Sequence, residues 1–288
     1  MVWGSAGFFI GLVLGSFGQA LADRSLGKKS FWGRSYCPNC KHKLAWYDLF
    51  PIFSFVLLKG RCRYCRKKIS LEYPIIEIVL GALIAYLFVQ TQFSFVTVLD
   101  LILKIFFIVI LAVLFLTDLK KMLIPDRVII PSIYIGLVGL VTVTIIKIGY
   151  LYYYLSQSAI GRLLLPPHSE YFQRHAFTIA EPLLLGILMG LLIGGFFFSL
   201  IIITKGKGMG GGDVKLGAFI GIMLGFPLSL LALILSFITG AVFSVGLIIA
   251  GKKRFGQTIP FGPFLVLGSL IALFWGNQII DWYLKLGY

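Results

Sequence analysis

Apolar runs close to 20 residues recur along the chain, and a run of about that length is what one helix needs to cross a bilayer. The pattern therefore predicts an all-α polytopic membrane protein. Candidate spans are 3–22, 74–90, 96–116, 128–147, 181–203, 213–225, 228–250 and 259–279. Composition agrees, with 59% hydrophobic and 13% charged residues. Soluble domains carry about 45–50% and about 25%. Mean hydropathy is +0.96. The opening stretch "MVWGSAGFFIGLVLGSFGQALA" has no basic n-region and is long enough to span, so it reads as the first transmembrane helix and not as a cleaved signal peptide.

The basic residues test the span count. With eight spans and the N-terminus outside, the inner segments are 23–73, 117–127, 204–215 and 251–258. The first holds twelve lysines and arginines. The others hold Lys120, Lys121 and Arg127; Lys205, Lys207 and Lys215; and Lys252, Lys253 and Arg254. The outer loops and tail carry only Arg162, Arg174 and Lys285. This is the positive-inside bias, and merging the sixth and seventh spans would break it. In a soluble protein the net charge of +15 would suggest nucleic acid. Here it reports cytoplasmic loops, whose partner is anionic lipid.

Three regions follow: a first helix (1–22), a small cytoplasmic insert (23–73) and a transmembrane region (74–288). A polar, tyrosine-rich stretch at 148–180 reads as an outer loop or interfacial segment, with His168 and His175 as solvated residues. No internal repeat is visible.

The insert contains all four cysteines, as "CPNC" (Cys37, Cys40) and "CRYC" (Cys62, Cys65). Each CxxC turn offers two thiolates, and two turns complete a tetrahedral cage suited to Zn²⁺. Two disulfides or reduced structural thiols are the alternatives, and a cytosolic location disfavours the first. Four protein ligands leave no open coordination position, so the zinc is expected to be structural. An insert this small also lacks the core to fold unaided.

Most of the eleven acidic residues have ordinary readings. Asp100 and Lys104 form an i,i+4 pair, Asp126 caps a helix after Pro125, and Glu181 opens another before Pro182. Asp118 and Asp213 differ. Asp118 closes the apolar run "IFFIVILAVLFLTD", and Asp213 opens the sixth span after three glycines. Either alone reads as a helix-end cap. Together, at the inner ends of two spans, they suggest a carboxylate dyad in which one keeps its proton while the other acts as base. Such a pair activates water and protonates a carbonyl, as peptide hydrolysis requires. The glycines allow a substrate backbone to approach closely.

At this point the residues resemble the prepilin peptidases, bifunctional aspartyl proteases and N-methyltransferases of type IV pilus and type II secretion systems. "TDLKKMLIPD" is similar to the family's first catalytic motif, with Asp118 at the aspartate position; "GMGGGDVKLGAFIG" is similar to the GxGD motif, with Gly210, Gly212 and Asp213 aligned. "GSFGQALADR" (15–24), the cysteine-containing loop through Glu77 and "IPFGPFLVLG" (259–268) also resemble family signatures. The resemblance implies catalysis by Asp118 and Asp213, and substrate contacts from Gly210, Gly212, Lys215 and Glu77. It also implies cleavage of a basic leader from prepilins or pseudopilins at the cytoplasmic face of the inner membrane, and methylation from S-adenosylmethionine. No residues in this chain single out the methyl-donor site. Gln19 and Asp23 stand where relatives usually have asparagine and a tyrosine or apolar residue. Since a basic insert repels a basic leader, Asp23, Asp48, Glu72 and Glu77 are the better partners for it.

Two other classes compete. A transporter would place its charges near the midplane on paired repeats. A non-catalytic zinc-bearing assembly factor explains the cysteines but not two aspartates beside GxGD. A peptidase that cleaves without methylating is the nearer alternative.

Overall fold

The computed structural model describes residues 2–27, 30–31, 33–167, 169–206, 209–251 and 260–286. Of the residues singled out above, His168, Ile259, Lys28, Lys29, Lys207, Lys252, Lys253 and Arg254 lie outside these. Among the described residues, seven helices are long and apolar enough to cross a membrane. They are α1 (Val2–Leu26), α3 (Glu72–Gln90), α4 (Phe95–Lys121), α5 (Asp126–Ser156), α7 (Tyr171–Ile203), α9 (Leu228–Ile249) and α10 (Gly262–Lys285). Shorter helices are α2 (Phe53–Leu57), α6 (Ala159–Leu163) and α8 (Gly211–Leu224). No strand occurs among the described residues, only two isolated bridges in the insert. The protein is an all-α polytopic membrane protein.

The expected eight spans thus become seven full-length helices plus α8. At 14 residues α8 rises about 21 Å, less than the roughly 30 Å hydrocarbon core. Gly225, at φ 63°, ends it, because glycine enters the left-handed region without a Cβ penalty. The 148–180 stretch also differs from expectation. α5 continues to Ser156 and α7 begins at Tyr171, so only 157–170 connects them, with α6 inside it. Pro182 lies within α7 instead of opening it, and Glu181 is therefore mid-helix. Proline is tolerated there because neighbouring helices re-satisfy the freed backbone groups.

The chain divides into two compact units, 1–125 and 126–288. In the first, α1 lies against α3 along a seam of small residues. A Cβ added at Gly11 would come within 2.6 Å of both Gly81 Cα and Leu80 O, so the two backbones approach as closely as glycine allows. α4 packs on α1, and Leu111, Val113 and Leu114 are buried at its centre. α4 starts with a reciprocal cap between Ser94 and Thr97 and ends at Met122, in the left-handed conformation. In the second unit the seam is between α7 and α8: a Cβ at Gly221 would meet Gly190 N at 2.6 Å. Phe197, Leu216 and Phe219 are fully buried beside it.

The α1–α3 seam generates a test. Gly11→Leu must force backbone apart, and overpacking of this kind costs about 1–3 kcal/mol. The expected outcome is a drop of several degrees in the unfolding midpoint in detergent. Gly149→Ala, with nothing within 4 Å of the added Cβ, should keep or raise the midpoint.

Candidate metal centre and catalytic acids

The four cysteines meet. Their Sγ atoms all lie within 4.8 Å of one another, with Cys37 and Cys62 buried and Cys40 exposed. Two turns with the same backbone build the cluster. In the first, Cys37 N donates to His42 O, Lys41 N to Cys37 O, and Tyr36 bridges Lys43. In the second, Cys62 N donates to Lys67 O, Arg66 N to Cys62 O, and Arg61 bridges Lys68. Lys41 and Arg66 both take positive φ, at 57° and 54°. The turns are a structural repeat that the sequence reading does not see, since they share little beyond CxxC.

The geometry fits a tetrahedral metal and not a disulfide. Cys37 Sγ and Cys65 Sγ are 3.9 Å apart. Zinc–sulfur bonds of ~2.3 Å in a tetrahedron place sulfurs about 3.8 Å apart, whereas a disulfide needs about 2.05 Å. Asn39 ties the turns together, donating to Cys65 Sγ at 3.7 Å and accepting from Lys67 Nζ at 2.8 Å. The Lys67 amide, then Asn39, draw the Cys65 thiol down to about 6. The His42 amide lowers Cys40, yet desolvation and the neighbouring thiols push it up to about 11. Crowded thiolates repel, and a divalent cation reverses that repulsion.

Asp118 sits in the last turn of α4 and is 5% exposed. Its carbonyl accepts from Met122 N at 2.7 Å. Two residues on, Lys120 joins three helices. Its Nζ lies 2.9 Å from Asp23 Oδ1 on α1 and 2.7 Å from Glu72 Oε1 on α3. Tyr73 donates to Asp23 Oδ2 at 2.8 Å. The sequence reading misses Lys120, because its partners are remote in the chain.

The four acids considered as partners for a basic leader are all engaged within the first unit. Asp23 and Glu72 hold Lys120, and Asp48 holds Arg63 at 2.8 Å and Tyr64 at 3.2 Å. Glu77, 6% exposed, accepts from Ile52 N at 2.8 Å. Gln19 is fully buried and neither side-chain amide atom finds a partner among the described residues. A buried unsatisfied group costs about 1–3 kcal/mol.

In the second unit, Gly210 is the extended N-cap of α8, and Asp213 N donates to Gly210 O at 3.1 Å. Asp213 is half-buried in the first turn, where the helix N-terminus favours a negative charge. Gly212 lies in the same turn. Lys215, two residues beyond Asp213, pairs with Asp126, the first residue of α5. Asp126, expected as a helix cap, is the first helical residue of α5 and forms an ion pair. Asp118 belongs to the first unit and Asp213 to the second. His175 stacks on Tyr171 at 3.8 Å on an exposed face of α7.

Comparison with known proteins gives two family matches: the bacterial peptidase A24 N-terminal domain over residues 9–91, and the type IV leader peptidase family over residues 105–245. Curated relatives carry the name prepilin leader peptidase/N-methyltransferase. One from Bacillus subtilis is 31% identical over 280 residues, 97% of each chain. Others, from Aeromonas salmonicida and Legionella pneumophila, are each 31% identical over 88% of this chain and 75% and 76% of their own. No solved structure matches. The cysteine insert lies within the first matched segment, both aspartate motifs lie within the second, and the chain belongs to the type IV leader peptidase family.

Proposed function

We propose that this chain is a membrane aspartic endopeptidase that removes the basic leader from type IV prepilins and pseudopilins. It then N-methylates the new N-terminal residue with a methyl group from S-adenosylmethionine. The observation that carries the reading is that "TDLKKMLIPD" and "GMGGGD" both fall inside the segment matching the type IV leader peptidase family. The distribution of lysine and arginine supports an inner-membrane orientation with the N-terminus outside and the reaction at the cytoplasmic face. Anionic lipid is the partner of the basic loops.

In this reading Asp118 and Asp213 divide the acid and base roles, one protonated and the other ionised. The ionised carboxylate takes a proton from water, whose oxygen adds to the scissile carbonyl. The protonated partner gives its proton to the carbonyl oxygen. Collapse of the tetrahedral intermediate breaks the C–N bond, and the leaving amine takes a proton from the dyad. Gly210 and Gly212 give the substrate backbone room beside Asp213, and Lys215 with its partner Asp126 forms a charged rim to that approach. Glu77 serves substrate binding through the insert segment that it holds at Ile52. The four cysteines hold a structural zinc, supported by sulfur spacing that fits a tetrahedron. S-adenosylmethionine would supply the methyl group.

A cleavage-only enzyme is the second reading. It is favoured by Asp23, bonded to Lys120 and Tyr73, and by Gln19, whose buried amide has no partner among the described residues, the two positions at which the sequence departs from the pattern it otherwise resembles.

Mass spectrometry of a prepilin precursor incubated with the purified enzyme and S-adenosylmethionine tests the reading. The expected product lacks the leader and carries one extra methyl. Asp118→Asn and Asp213→Asn should each slow cleavage by about 10²–10⁴-fold, the usual worth of a general acid or base. Leader removal without methylation selects the second reading. A folded enzyme that leaves several precursors uncut would restore the transporter reading.

Elemental analysis should find one zinc per chain. Cys62→Ser, which removes a buried ligand, should lose most of it and raise amide hydrogen exchange in 35–69 at least tenfold, with the spans still protected. Full zinc retention in both Cys62→Ser and Cys37→Ser would rule out the metal reading.

A further inference from the structure

The insert exposes apolar side chains where a small cytoplasmic domain should hide them. In its short 3-10 turn (Trp46–Leu49) and in α2, Trp46 is 74% exposed, Phe53 55%, Val56 65% and Leu57 81%. Phe50 is also exposed, and its ring meets that of Trp46 edge-on at 6.1 Å. Scattered exposed apolar residues are ordinary, but a contiguous aromatic and aliphatic stretch marks a partner.

Backbone geometry says where this stretch lies. Ile52, between the two helical turns, has φ 60° and ψ −50°. Phe53 N reaches back to Pro51 O at 2.6 Å, closing a tight γ-turn. That conformation is strained and is an outlier for a β-branched residue. Ile52 N donates to the buried carboxylate of Glu77 at 2.8 Å, and Ile52 O accepts from Val56 N at 2.9 Å. Glu77 is three residues beyond the expected start of its span at 74, about 5 Å along the helix axis. On the other side, a Cβ at Gly15 would touch Glu77 Cα at 2.8 Å. Gly15 is seven residues before the expected inner end of its span at 22, about 10 Å along that axis. Ile52 and its neighbours are therefore fastened roughly 5–10 Å inside the inner boundary, the depth at which interfacial segments bury their apolar face.

We propose that Trp46–Leu57 is an interfacial anchor, with its apolar side chains in the headgroup–acyl boundary of the cytoplasmic leaflet and anionic phospholipid as its partner. The proposal rests on the membrane placement of α1 and α3 given above. Charge supports this partner: residues 23–73 carry twelve basic against three acidic side chains. Lys59, Arg61 and Lys68 are exposed close to α2 in the chain. Tryptophan at the edge of such a stretch has its preferred environment there. A basic leader peptide is the poorer occupant, because the same charges repel it. The Glu77 bond thereby becomes a depth gauge, tying Ile52 and the stretch around it to the bilayer.

The test uses the full chain in nanodiscs with a photo-reactive side chain, Phe53→p-benzoylphenylalanine, and lipid adducts read by mass spectrometry. A second label at Leu57 guards against a local folding defect at 53. Val138, mid-α5 and 63% exposed, is the internal reference for lipid contact. In discs containing phosphatidylglycerol, adduct yields at 53 and 57 should come within about threefold of that at 138. In phosphatidylcholine alone the yields at 53 and 57 should fall at least threefold, while that at 138 holds. Adducts at 138 but none at 53 or 57 would overturn the anchor. Equal yields in both lipids would overturn the anionic partner. Transfer of the label to an added prepilin precursor would make the stretch a peptide-docking surface and overturn lipid occupancy. Failure at all three positions would remove the membrane placement itself, and the anchor with it.

Discussion

A backbone amide in hydrocarbon has no water to turn to, and the architecture of this chain follows from that deprivation. It obliges each span to satisfy its own N–H and C=O groups as a helix. It also removes the hydrophobic effect as a means of holding helices together, because lipid tails are as apolar as leucine. What remains is close packing, and the chain achieves it with glycine. Gly11 against Gly81 in one unit and Gly221 against Gly190 in the other bring backbones together without side chains between them. Polar chemistry is then displaced to where helices end. Asp118 closes α4, Asp213 opens α8, and Lys120 gathers Asp23 and Glu72.

That displacement explains what sequence reveals and what it hides. Apolar runs, CxxC spacing and the two aspartate motifs are local signals, readable within a window of twenty residues or fewer. The spans and the cysteine cluster accordingly follow from sequence. Lys120 meets Asp23 across 97 positions and Lys215 meets Asp126 across 89, and no local pattern announces either pair. Glu77 could be singled out but not its partner, because the donor is a backbone amide, which every residue but proline carries. Pro182 misled for a different reason. Proline before an apolar run ordinarily opens a helix, whereas α7 begins eleven residues earlier and runs through it.

The insert shows electrostatics and packing dividing the work. Its acids are engaged within the first unit: Asp48 with Arg63 and Tyr64, Glu72 with Lys120 of α4. The remaining lysines and arginines give the domain its outward charge. A partly solvated pair such as Lys120 with Glu72 contributes little to stability, about 0–1 kcal/mol. The fold of the insert therefore depends on its sulfur cluster and on its attachment to α1 and α3, through Arg24 bonded to Phe31 O and Gly33 O and through Glu77.

The twin turns at 36–43 and 61–68 bear on how such a centre comes into being. Each presents its two thiols from a loop closed by its own backbone bonds, Lys41 N to Cys37 O and Arg66 N to Cys62 O. Half of the coordination geometry is therefore fixed by bonds within a single turn. Closing a loop of the intervening length takes on the order of a microsecond or less. A metal entering this domain would be captured by one pre-shaped claw and then clasped by a second, so assembly is an encounter of two bodies and not a search by four separate thiols.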